Sequence, residues 1–105
     1  MILHKESENG VTIAFYDSSN ILQSVYIENK NTLYIVFHKG GTYSYSSVPK
    51  DVYELFESAI SQGVYFTSSI KKVYETKKDF ILKEWELNSV RERIDELKKN
   101  KSKNI

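Results

Sequence analysis

No cysteine occurs in the 105 residues, and there are only one proline, one tryptophan, one methionine and two histidines. Without cysteine there is no disulfide scaffold, no thiol nucleophile and no thiolate zinc site, which fits a reducing compartment. No window approaches the ~20 apolar residues of a membrane span, and the opening residues Met1 to Gly10 carry charges where a signal peptide needs an apolar run. The expected location is the cytoplasm, without membrane association. Strong net charge is also lacking: 15 Lys and Arg stand against 14 Asp and Glu. An extended nucleic-acid duplex, bound largely through counterion release, is a poor match for so neutral a chain. Catalytic groups are sparse. His4 lies near the terminus, and His38 sits at a hairpin end with no Ser or carboxylate placed by local spacing to partner it. His–acid metal spacing is absent, and Gly40-Gly41 lacks the Lys-Ser/Thr helix start of a phosphate loop. The expectation is a non-enzymatic protein with no metal and no cofactor.

What is present is a globular composition, 40% hydrophobic and 13% aromatic with eight tyrosines, in a length that suits one domain. Residues 1–10 are polar and expected to fray. Val11, Ile13 and Phe15 alternate in a first strand, 11–16, followed by the turn cluster Asp17 to Asn20. A second strand, Ile21 to Glu28, places Ile21, Val25 and Ile27 on one side and Leu22 and Tyr26 on the other. A third, Thr32 to His38, points Leu33, Ile35 and Phe37 to the core and Tyr34, Val36 and His38 away from it.

The pivotal stretch is Lys39 to Pro49, which holds a turn, a strand and a helix start. Tyr43 and Tyr45 share a face, and loop length decides which one. A two-residue turn sets them beside Tyr34, Val36 and His38 as an open platform. A three-residue loop or a glycine bulge sets them beside Leu33, Ile35 and Phe37. The second arrangement is favoured, because a buried ring with a wet hydroxyl is the ordinary use of Tyr. From Pro49 the period becomes helical. Val52, Leu55, Phe56, Ala59 and Ile60 form one stripe that should pack on the sheet, with Gly63 as the helix C-terminal cap. A shorter helical segment carries Phe66, Ile70 and Val73. The fold class is α+β: an antiparallel sheet of three to four strands followed by two helices on one face, together a domain spanning 1–74.

Residues 75–105 read as one long amphipathic helix with a solvated basic tail from Lys98. Phe80, Leu87, Val90, Ile94 and Leu97 fall at seam spacings, interrupted by Lys83. This seam can pack on its own domain, pair with the same helix of a second subunit to make a homo-oligomer through 75–100, or lie on a membrane surface. The carboxylates of Glu92, Asp95 and Glu96 count against the last use.

The order and spacing of Ser18-Ser19 with Ile21, Leu33-x-Ile35-x-Phe37, Gly41, Tyr43-x-Tyr45, Val48-Pro49, Val52-Tyr53, and Gly63 with Tyr65-Phe66 and Ile70 resemble a KTSC domain over residues 18–74. That small module is named for its occurrence at the C-terminus of some lysyl-tRNA synthetases. The resemblance implies RNA binding, suggested for the family by its company, and a freestanding bacterial or phage module, which would act in host cytoplasm if phage-encoded. Ser44 stands where family members often carry a basic residue, which counts against nucleic acid at that position.

The candidate ligand site gathers Tyr34, His38, Lys39, Tyr43, Tyr45, Lys71 and Lys72 as a patch of rings and cations. Stacking of a base on an aromatic ring is worth roughly 1–3 kcal/mol, so single-stranded nucleic acid, RNA in particular, or a small nucleotide is the expected ligand. The rival expectation is a phage or mobile-element interaction module that self-associates through the residue 75–100 seam and sequesters a host protein or a signalling nucleotide.

Overall fold

A computed structural model describes the backbone of residues 1–103 and side chains as far as residue 100; Asn104 and Ile105, the end of the expected basic tail, lie outside the described residues. Glu8 pairs with Val11 across Asn9-Gly10, two residues with φ of 52° and 79°. Two positive φ angles in succession make the tight turn whose twist matches that of the flanking strands. The residues expected to fray therefore form β1 (Ile2–Glu8), paired along its length with β2 (Val11–Tyr16). The meander continues through β3 (Ile21–Ile27), a turn of 3-10 helix at Glu28–Lys30, β4 (Thr32–Phe37), β5 (Gly41–Tyr45) and β6 (Thr76–Ile81). Each strand pairs antiparallel with its sequence neighbour, giving a six-stranded sheet in the order β1-β2-β3-β4-β5-β6. The fold is α+β, with six strands rather than three to four.

One sheet face carries the larger core. Ala14, Tyr16, Ile21, Tyr26, Leu33, Ile35 and Tyr45 meet Tyr53 and Phe56 of α1 (Lys50–Ser58) and Phe66 of α2 (Gln62–Ser69). Pro49, with φ of −65°, precedes the first turn of α1, and Ser61 caps α2 by accepting the Val64 N–H at 3.3 Å. Gly63 lies inside the first turn of α2 and caps nothing; α1 ends at Ala59 in an extended conformation. The expected stripe is also rotated. Tyr53, Phe56 and Glu57 face inward, while Leu55 and Ile60 are exposed. Tyr53 takes an inner position by stacking on Tyr26 at 4.5 Å, Glu57 does so by accepting from Lys5 Nζ at 2.7 Å, and Ile60 lies beyond the end of the helix. Val73 is likewise exposed.

Strand β3 does not keep a single period. Its register with β4 shifts between Ile21 and Gln23, so Ile21 joins Tyr26 in the larger core while Leu22 turns to the other face. A one-residue bulge exchanges faces in this way.

The opposite face is covered by α3 (Glu84–Lys103). Leu22, Val36 and Ile94 are buried there, flanked by Leu3, Phe15, Leu82, Leu87 and Val90. The helix expected from residue 75 thus begins at 84, after a strand. Its start is marked by one half of a capping box, in which the Lys83 N–H donates to Glu86 Oε1 at 3.0 Å. Leu87, Val90 and Ile94 pack in cis on the sheet, so the middle of the expected oligomer seam is already covered. Phe80 lies on β6 opposite Thr42, half exposed, and Leu97 is partly buried. Arg91 Nη2 donates to the His38 carbonyl at 2.6 Å, and Lys98 pairs with Asp17 at 3.3 Å, tying α3 down along its length.

Candidate functional site

The β4–β5 connection decides where the tyrosines point. Gly40 N–H donates to the Phe37 carbonyl at 2.8 Å, and Gly40 has φ of 88°. This is a three-residue loop closed by a glycine in a conformation that a Cβ disfavours. The resulting register sets Tyr45 opposite Leu33 and Tyr43 opposite Ile35, so both rings join the face covered by α1 and α2, as favoured from the sequence. Across β5, Lys78 lies opposite Tyr43 and Thr76 opposite Tyr45, and cross-strand partners share a face.

These elements enclose a groove of about 770 Å³ between the β4–β6 side of the sheet and α2, within the usual range for a small-ligand site. Its floor is aromatic. Phe37 meets Tyr43 edge to face at 5.7 Å and Phe66 at 5.5 Å, and Tyr45 meets Phe66 at 5.4 Å, the geometry that ring quadrupoles favour. Burial, with the Tyr43 phenol beside it, pushes the Tyr45 hydroxyl up to about 12, so it stays a neutral hydrogen-bonding group at any physiological pH. Lys39, Lys71 and Lys78 stand on the rim, all exposed. The lining contains no Asp or Glu. An aromatic floor under three cations with no carboxylate among the lining residues suits a ligand with a flat ring and negative charge.

His38 Nε2 donates to the Ser18 carbonyl at 2.7 Å, and the His38 N–H donates to the Asn20 carbonyl at 3.0 Å. Its ring therefore fastens the hairpin to the 17–20 turn at the groove edge. Of the other residues expected from sequence, Lys39, Tyr43, Tyr45 and Lys71 line the groove. Tyr34 does not: it is paired with Val25 and Ser44 on the α3 face, because side chains alternate along β4. Lys72 is exposed but outside the lining. Phe37 and Phe66, assigned to the core from sequence, also form the floor. Lys78 was missed because residues 75–83 were read as helix; β6 is exposed throughout and its register with β5 shifts between Thr42 and Tyr43, so no simple alternation marks it.

The sequence model of the KTSC domain matches residues 17–74. The chain belongs to the KTSC domain family. A crystal structure of a KTSC domain protein from Yersinia pestis is similar to it, with a TM-score of 0.64 and 33% sequence identity over 67% of this chain and 99% of that one. Curated proteins yield no match. The KTSC match includes the groove floor and two rim cations, Lys39 and Lys71, and ends before Thr76, Lys78 and Ile81. The groove is thus a KTSC feature completed on one side by a strand outside the matched segment.

Proposed function

We propose that this KTSC protein is a non-enzymatic binding module whose groove takes a nucleotide or a short single-stranded RNA segment. The carrying observation is charge selectivity: three lysines and four aromatic rings line the groove, and no carboxylate does. Phosphates would meet Lys39, Lys71 and Lys78, and a base would lie against the Tyr43 and Phe37 rings, where stacking is worth roughly 1–3 kcal/mol. The basic residue that family members often place between the two tyrosines is Ser44 here. Ser44 faces away from the groove, since it neighbours Tyr43 and Tyr45 on the strand, so its lack of charge leaves the site intact. The engagement of His38 Nε2 with a backbone carbonyl favours binding over acid–base chemistry.

The test is titration of the full chain with mononucleotides and with short single-stranded RNA over a range of salt. For single strands the logarithmic salt slope is about −0.7 per phosphate neutralised, so three lysines give a slope near −2. Lys71→Ala should make it shallower by about 0.7 and leave the fold intact. Absence of binding at low salt would end the proposal, as would a Lys71→Ala titration that overlays the wild type.

A further inference from the structure

The three rim cations of the groove do not converge on one point. Strand register divides the groove into levels, with Ile81 opposite Gly41, Lys78 opposite Tyr43 and Thr76 opposite Tyr45. Successive levels are two residues apart along β5, roughly 6–7 Å. Lys39 belongs to the hairpin loop beyond the Gly41 end, and Lys78 stands on the middle level. The position of Lys71 follows from the course of α2. A Cβ at Gly63, in its first turn, would lie 3.4 Å from Asn20 Nδ2, and the Asn20 carbonyl accepts from His38 N–H, which sets that turn at the Lys39 end. Past the far end of α2, the Glu75 carbonyl accepts the Ser46 N–H at 3.0 Å, beside Tyr45. The eight residues of α2 cover about 12 Å, matching the roughly 13 Å from Gly41 to Tyr45, so Lys71 emerges at the Tyr45 end.

A mononucleotide carries all its charge on one phosphate chain, and a site built for it gathers cations around that chain. Here the cations are strung out, one to a level, over more than the ~8 Å at which exposed charges are screened at physiological salt. Like charges on flexible stems also stay apart unless anions hold them. The level spacing is comparable to the phosphate repeat of an extended single strand. Ring surface follows the same steps at one end only: Phe37 and Tyr43 are half-buried, whereas Tyr45 and Phe66 are 3% and 7% exposed.

We infer that the groove is a track for three successive nucleotides of a single strand, lying along β5 with one phosphate at each of Lys39, Lys78 and Lys71. The two nucleotides nearer Lys39 set their bases against Phe37 and Tyr43, and the third is held by its phosphate. This rests on the reading of the groove as a nucleotide-binding site and narrows its ligand from a mononucleotide to an oligonucleotide. The middle cation comes from β6, outside the KTSC match, so holding three phosphates in a row is a property of the strand this chain adds.

The experiment is a length series: calorimetric titration of the full chain with 5′-phosphorylated oligouridylates from one to six nucleotides, and with the matching oligothymidylates, across salt concentrations. The logarithmic salt slope should steepen by about 0.7 per phosphate, reach about −2 at three, and then level off. Affinity at low salt should rise at least about tenfold from one phosphate to three. Lys39→Ala and Lys78→Ala, both at exposed positions, should each make the trinucleotide slope shallower by about 0.7. Tighter binding of the uridylates marks RNA as the strand, and equal binding marks a single strand of either sugar. A mononucleotide that binds with the affinity and slope of the trinucleotide overturns the track and leaves the groove reading standing. A slope that keeps steepening past three phosphates places the strand on a wider surface and also overturns it. Absence of binding at every length removes both readings.

Discussion

Ile94→Ala tests whether α3 is a structural layer of this domain. Ile94 is 4% exposed and sits with Leu22 and Val36 at the centre of the smaller core, ringed by Leu3, Phe15, Leu82, Leu87 and Val90. Truncating a buried Ile to Ala costs about 2–5 kcal/mol, depending on how far the site collapses. With only three fully buried members, this cluster can relax, so the lower part of that range, about 2–3 kcal/mol, is the expectation. For a domain of this size that corresponds to a fall in Tm of roughly 10–15 °C. The assay is thermal unfolding by circular dichroism at low and high protein concentration, with Trp85→Ala as control, because Trp85 is 67% exposed on the same helix. Cis packing predicts the same Tm at both concentrations, whereas a helix buried only between subunits makes Tm rise with concentration. A fall of no more than a few degrees in Ile94→Ala, or a concentration-dependent wild-type Tm, would refute the reasoning.

Other outcomes follow from single groups. Gly40→Val places a β-branched residue at φ of 88°, with its Cβ 3.6 Å from the Leu82 carbonyl oxygen; a cost of about 1–3 kcal/mol is expected from chemical denaturation. Alkaline stability should fall between about pH 10, the ordinary tyrosine value, and about pH 12, the folded value for Tyr45. The group stays protonated in the fold but ionises in the unfolded chain, so its contribution is complete below pH 10 and is lost as pH rises. Tyr45→Phe should flatten that part of a Tm-against-pH curve. A stop after Tyr74, which removes both β6 and α3, should leave a chain that binds a hydrophobic dye, because Leu22, Val36 and Phe15 lose their cover.

The sequence made legible whatever was set by local chemistry. The alternation in Leu33, Ile35 and Phe37, the Pro49 helix start and the facing of Tyr43 and Tyr45 all follow from period and loop length, and all are present. Asn9-Gly10 was legible in principle, since that dipeptide is a strong hairpin marker; the polar run before it outweighed it because an edge strand needs few apolar residues. Two features could not be read locally. The bulge at Ile21 to Gln23 is a property of how β3 meets β4, and it reversed the faces of Ile21 and Leu22. Strand β6 is exposed throughout, so no burial pattern announces it, and its lysines do what charged side chains do on edges, which is to discourage pairing with other chains. Phe80 fell seven residues before Leu87 by coincidence and lent the helix an extra turn. That error also hid Lys78, and with it the closed side of the groove.

The most direct test of the groove assignment is an amide chemical-shift map of the labelled full chain with short single-stranded RNA and a mononucleotide at low salt. The account predicts saturable changes concentrated at Lys39, Tyr43, Phe66, Lys71 and Lys78. Changes confined to the α3 face, or none at all, would contradict it.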